Sequence, residues 1–138
     1  MLIERAEWGQ ATFSPPASND ELAAAAAALG TALPQQLREL LSETNGVEGE
    51  YGLGLVWEVA RIAKDNKWFQ TNEDYRELYK PFDGLLFFAD AASGDQFGIS
   101  LAGNQEIYVW DHEDDSRTWV APTILGYLEG WMTGHLKV

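Results

Sequence analysis

The chain contains no cysteine. That removes disulfides, thiolate nucleophiles and cysteine-based metal sites together, and it fits a reducing cytoplasm. Histidine is almost as scarce, with His112 and His135 alone. No His-Glu-x-x-His pair and no Gly-x-Ser-x-Gly elbow occurs, so the common zinc-hydrolase and serine-hydrolase patterns are missing. Basic residues are few: nine Lys and Arg stand against twenty-two Asp and Glu, a formal net charge of −13. Binding to nucleic acid needs clustered cations to neutralise phosphates, and an anionic membrane surface needs the same, so both are excluded as partners. A basic partner is favoured, through faster encounter more than through final affinity. Solubility alone is the simpler account of such a charge. No apolar run approaches the roughly 20 residues a membrane helix needs. The Ala23–Leu29 run is far shorter, and Met1–Arg5 lacks the apolar segment of a signal peptide, so a cytoplasmic location is expected.

Aromatic residues, by contrast, are plentiful: six Trp, five Tyr and six Phe in 138 residues. A chain of this length can bury a core without staples, and one domain over 1–138 is expected.

Residues 1–17 read as a lead-in, with an early strand or packed turn near Trp8 and Phe13. Ser18-Asn19-Asp20-Glu21 has the spacing of a capping box, and the alanine run carries a helix to Leu29, with Gly30 as its stop. Pro34 suits the first position of a second helix whose Leu37, Leu40 and Leu41 share a face. Asn45-Gly46 ends it with residues that tolerate φ > 0. Three glycines with Glu48 and Glu50 make Val47–Leu55 a flexible, solvated loop on this reading. Helical spacing of Val59, Ile62, Ala63, Asn66 and Phe69 predicts a third helix over Glu58–Thr71. Asn66 sits on its apolar face, where an amide must satisfy buried backbone groups. Asn72–Pro81 reads as irregular or a short helical turn.

Strand patterns then take over. Leu85–Phe88 is a buried strand. Phe97, Ile99 and Leu101 alternate with polar or small residues, as do Ile107 and Val109 with Tyr108 and Trp110. Gly103-Asn104 turns between them, and Arg117–Val120 adds a further strand. A last helix opens at Pro122, with Ile124, Leu125, Leu128, Trp131 and Met132 as its stripe. Helices, then consecutive antiparallel strands, then one helix is an α+β pattern: a central antiparallel sheet flanked by N-terminal helices and a C-terminal helix.

Asp111-His112-Glu113-Asp114-Asp115 is the densest polar cluster. Its spacing fails as a calcium loop, because Ser116 replaces the required glycine and Pro122 falls where a bidentate Glu belongs. A solvated connection is preferred to a metal site, and no cofactor is expected. Protein recognition is the third reading: carboxylates bracketed by Trp110 and Trp119 form an acidic patch with aromatic anchors. Gly52-Leu53-Gly54 does not complete a phosphate-binding motif, since Trp57 stands at the third glycine position. Gly94 supplies an unusual backbone angle where the second strand begins, and Asp95 bonds neighbouring backbone amides.

Taken in order, the Leu33-Pro34 helix with Asn45-Gly46, the strand ending at Phe88-Ala89, Gly94-Asp95-x-Phe97, Tyr108-x-Trp110-Asp111-His112-Glu113 and the closing helix resemble the SUKH superfamily over roughly Leu33 to Trp131. The resemblance implies an α+β fold in which Gly94, Asp95, Trp110 and His112 are structural motif residues. It also implies a non-enzymatic role, that of an immunity protein binding and blocking a cognate toxin, often a nuclease; some eukaryotic relatives are regulatory scaffolds. Pro122-Thr123-Ile124 departs from the acidic or Ser-Phe start common in the last helix, which leaves the subfamily open. A basic toxin surface would be met by Glu48, Glu50, Asp111, Glu113, Asp114 and Asp115. A rival reading uses Asp95, Asp111 or Glu113 with a metal in a small hydrolase.

Overall fold

The computed structural model of the chain describes residues 11–49, 53–79, 84–91, 94–101 and 104–133, the side chains at 75, 76 and 131–133 excepted. Among them lie β1 (Thr12–Phe13), α1 (Asn19–Leu29), α2 (Gln35–Glu43), β2 (Val47–Glu48), β3 (Gly54–Val56), α3 (Val59–Thr71), α4 (Glu73–Leu78), β4 (Leu85–Asp90), β5 (Gln96–Ser100), β6 (Ile107–Asp111), β7 (Ser116–Ala121) and α5 (Ile124–Thr133). The fold is α+β. A four-stranded sheet in the order β4-β5-β6-β7 is antiparallel throughout, and a small antiparallel sheet runs β1-β2-β3. No helix of the described residues is long and apolar enough to cross a membrane.

Local chemistry sets the helix ends. Ser18 Oγ accepts from the Glu21 amide at 3.1 Å, and Glu21 Oε1 accepts from the Ser18 amide at 3.0 Å, so two donors with no partner inside the helix are satisfied at the start of α1. Pro34 does not occupy the first helical position. It stands one residue earlier, with ψ 139°, an extended conformation from which its carbonyl still accepts the Arg38 amide at 2.9 Å. Of the Asn45-Gly46 pair expected to tolerate a positive φ, Gly46 takes one, 114°, and Asn45 does not. Its Oδ1 instead accepts the Val59 amide at 2.8 Å and so caps the start of α3.

The large sheet is covered on both faces. On one, Tyr127 of α5 meets Phe88 and Phe97, with ring centroids 5.3 and 4.7 Å apart. Phe97, Ile99, Ile107, Ile124 and Leu128 are fully buried with it; Leu101, Val109 and Leu125 are half-buried against the same core. On the other face, Phe69 of α3 packs on Phe87 and Trp110, and Tyr79 stacks edge-on to Trp110 at 5.0 Å. Asn66 joins the layers. Its Nδ2 donates to the carbonyls of Ile62 and Phe87, and its Oδ1 accepts the Phe87 amide at 2.8 Å.

The segment expected to be a flexible, solvated loop contains β2 and β3. Val47, Leu55 and Val56 are buried. The Tyr127 hydroxyl donates to the Leu55 carbonyl at 2.9 Å, which binds α5 to this small sheet. Strands of two and three residues are too short for a period-2 pattern to show, and the glycines between them dominate the composition. Glu50 and Gly52 of that segment lie outside the described residues, as do Trp8 and Gly103; the Trp131 and Met132 side chains fall there too.

Candidate functional site

Where β5 begins, Gly94 has φ +87°, a left-handed conformation that glycine adopts without strain. A Cβ there would come within 3.4 Å of the His112 ring. Asp95 follows. Its Oδ1 accepts the His112 amide at 3.2 Å and lies 2.7 Å from His112 Nδ1. On the far side, the Tyr79 hydroxyl donates to the His112 carbonyl at 2.8 Å. His112 is therefore fixed from β5 and from the end of α4 at once. The Asp95 hydrogen bond raises its pKa above the usual histidine value; burial opposes the rise, and the Asp95, Glu113 and Asp111 charges add to it.

From that anchor the chain turns through Asp111–Ser116. The Asp111 carbonyl accepts the Asp115 amide at 2.8 Å, and its carboxylate accepts the Glu113 amide at 2.9 Å. Asp114 Oδ1 accepts the Ser116 amide at 2.9 Å. Hydrogen bonds from the Ser116 hydroxyl and amide hold the Asp114 carboxyl below the usual carboxylate range. Asp115 adopts φ +60°. Its Oδ1 accepts from Trp110 Nε1 at 2.8 Å and from Arg117 Nη2 at 3.1 Å, and only 15% of its side chain is exposed. The hairpin is thus organised before any partner arrives. Glu113 and Asp114 are exposed at its tip, Asp111 is half-buried, and Asp115 is turned inward. Trp110 and Trp119 do not flank it as a pair. Trp110 is core, 1% exposed, whereas Trp119 on β7 is 52% exposed.

Glu48 reaches the same end of the molecule by another route. It lies opposite Gly54 in the β2–β3 register. Gly54 packs flush on β4: a Cβ there would sit 2.8 Å from an Asp90 carboxylate oxygen. Asp90 in turn pairs with Gln96, the neighbour of Asp95. Glu48, Asp90, Asp95, Asp111, Glu113 and Asp114 therefore follow one rim, where β4 ends, β5 begins and the β6–β7 hairpin turns. Sequence reasoning missed Asp90 and its partner Arg61. Arg61 donates to both Asp90 oxygens at 3.0 and 3.3 Å, bonds Asp65 at 3.0 Å, and stacks 4.1 Å over Trp57. The i,i+4 spacing of Arg61 and Asp65 was visible in the sequence; the reach across to β4 was not. Exposed ion pairs of this kind contribute about 0–1 kcal/mol each, so their effect is to neutralise and position rather than to stabilise.

Asp95, Asp111 and His112 each offer one ligand atom, all within 4.8 Å of one another. This is the cluster a metal would choose. Its histidine Nδ1 is already engaged by Asp95 at 2.7 Å, so a cation must compete with that hydrogen bond to bind. In chemical terms the described residues of the rim offer fixed carboxylates, an arrangement suited to holding cationic groups.

The family model SUKH_6, described as SMI1-KNR4 cell-wall, matches residues 19–128. The match takes in α1, which lay outside the stretch whose motifs were legible. Proteins of this family are in general binding and immunity modules rather than enzymes. No curated protein matches the chain.

Proposed function

We propose a role from the premise that the chain belongs to the SUKH superfamily: it is an immunity protein that binds a cognate toxin domain and occludes its active site. The acidic rim carries this reading. Nuclease sites are basic because they hold phosphates, and an acidic protein with pre-set carboxylates can occupy such a surface with little ordering cost. Glu113 and Asp114 make the first contacts at the hairpin tip. Glu48 and Asp111 extend the surface, with Glu50, outside the described residues, assigned to it from the sequence. Asp115 acts from within, holding the hairpin on Trp110. The protein acts as one domain, in the cytoplasm, without cofactor or turnover.

Co-expression with a toxin domain taken from a neighbouring gene tests this. Growth rescue and co-purification of the pair are expected. A toxin that still kills, with no complex recovered, would discard the reading in favour of a regulatory scaffold. The Asp95, Asp111 and His112 cluster gives the hydrolase rival a structural foothold. Calorimetry with Mg²⁺, Ca²⁺ and Zn²⁺ separates the two: no stoichiometric binding at micromolar concentrations is expected, and such binding with a raised melting temperature would favour the rival.

A further inference from the structure

The two edges of the large sheet differ. At β4, the Phe88 carbonyl accepts the Trp57 amide at 2.7 Å, and Gly54 of β3 packs flush on Asp90, so this edge is partly covered. At the other edge stands β7, six residues long, with β6 as its strand neighbour and, among the described residues, no strand beyond. Proteins guard such edges with lysine, proline, bulges or brevity, because an open edge presents unpaired N–H and C=O groups to any extended chain. β7 reads Ser-Arg-Thr-Trp-Val-Ala, with neither lysine nor proline. Its one cation, Arg117, is folded back on Asp115 with 20% of its side chain exposed. The register of this pair shifts between Ile107 and Tyr108, where Val120 is the extra residue on β7, so the bulge lies beyond Trp119 and regular pairing runs from Ser116 to Trp119. Thr118 and Trp119 are exposed in its middle, and Glu113 and Asp114 lie just before its start.

We infer that β7 is a strand-addition site: an extended segment of the partner protein pairs with its open edge, presents basic side chains to Glu113 and Asp114, and packs an apolar side chain on Trp119. Strand addition takes its affinity from main-chain hydrogen bonds and its selectivity from the alternating side chains. Charge decides between the possible occupants. A second copy of this chain would bring another net −13, whereas a basic segment complements the hairpin that leads into the strand. The inference rests on the reading of the chain as a binder of basic proteins, and it specifies how the partner is held.

The test uses isotope-labelled protein and a short synthetic peptide alternating lysine and valine. Two control peptides accompany it: the same sequence N-methylated at every second residue, and one alternating glutamate and valine. Slowed hydrogen exchange and shifted amide resonances are expected for residues 116–121. Affinity should fall at least about tenfold for the N-methylated peptide and for the Trp119→Ala variant, the order expected when a cluster of hydrogen bonds or an aromatic anchor is lost. Little or no binding is expected for the glutamate peptide. Equal binding of the methylated peptide would mean charge attraction alone and overturns the inference. So does the absence of binding at millimolar peptide, or protection of β7 in the free protein accompanied by a concentration-dependent dimer. Each of these results leaves the co-expression experiment free to succeed, and failure of co-expression leaves peptide addition measurable, so the two ideas fail separately.

Discussion

At the scale of single residues, two side chains concentrate the structural argument. Asn66 is 1% exposed and makes three hydrogen bonds, two of them to the backbone of Phe87 in β4. Asn66→Ala leaves the Phe87 amide and carbonyl buried without their partner, at about 1–3 kcal/mol for each. Chemical denaturation should show a loss of at least about 2 kcal/mol; a neutral substitution would mean that the amide is not needed to join α3 to β4. An amide at a core position of a helix announced this role in the sequence, although the residue it would bond did not. The second is His112. Its pKa is raised in the fold by Asp95. The stabilisation that follows is present in full below the ordinary histidine value and is lost as pH rises through the folded value. Asp95→Asn keeps an oxygen for the His112 amide and removes the charge. The urea midpoint of the variant should therefore lie furthest below that of the parent near pH 5.5 and approach it near pH 9. A gap that is constant, or widens in alkali, contradicts the pairing.

At the scale of elements, what could be read from the sequence followed length and periodicity. The capping box, α3 and the alternation of β5 and β6 were legible, because each is encoded in local spacing, whereas α5 opens at Ile124 and not at Pro122 as expected. The β1-β2-β3 sheet was not. Its strands are two and three residues long, and they form because Val47, Leu55 and Val56 find a core supplied by distant elements. Tyr127 shows the same limit: it was not among the stripe residues assigned to the last helix, and its hydroxyl bond to Leu55 crosses 72 residues. Tyr127→Phe removes that bond with little change of shape. A loss of about 0.5–1.5 kcal/mol is expected, together with faster hydrogen exchange in β3. Unchanged exchange there would show that the small sheet does not depend on α5. The candidate surface divided in the same way. The acidic composition of the hairpin was readable, whereas the inward turn of Asp115 and the path from Glu48 through Gly54 to Asp90 depend on tertiary packing.

At the scale of the whole molecule, the charge is the dominant fact: −13 over 138 residues, with Glu48, Glu113 and Asp114 exposed along the rim. Rim charges steer encounter and set its salt dependence more than they set the dissociation rate. Glu113 is the best probe of this, because it is exposed and its carboxylate does not hold the hairpin together, unlike those of Asp111, Asp114 and Asp115. The direct measurement is the association rate of parent protein and Glu113→Lys with the toxin domain recovered by co-expression, taken across a salt series from about 10 to 500 mM, where the screening length shortens severalfold. The account predicts that the parent associates fastest at low salt and slows steeply as salt rises. The variant should be severalfold slower at low salt, depend less on salt, and dissociate at nearly the parent rate. A complex that neutralises the toxin while both proteins associate at the same, salt-independent rate would place the interface away from the acidic rim and contradict the account.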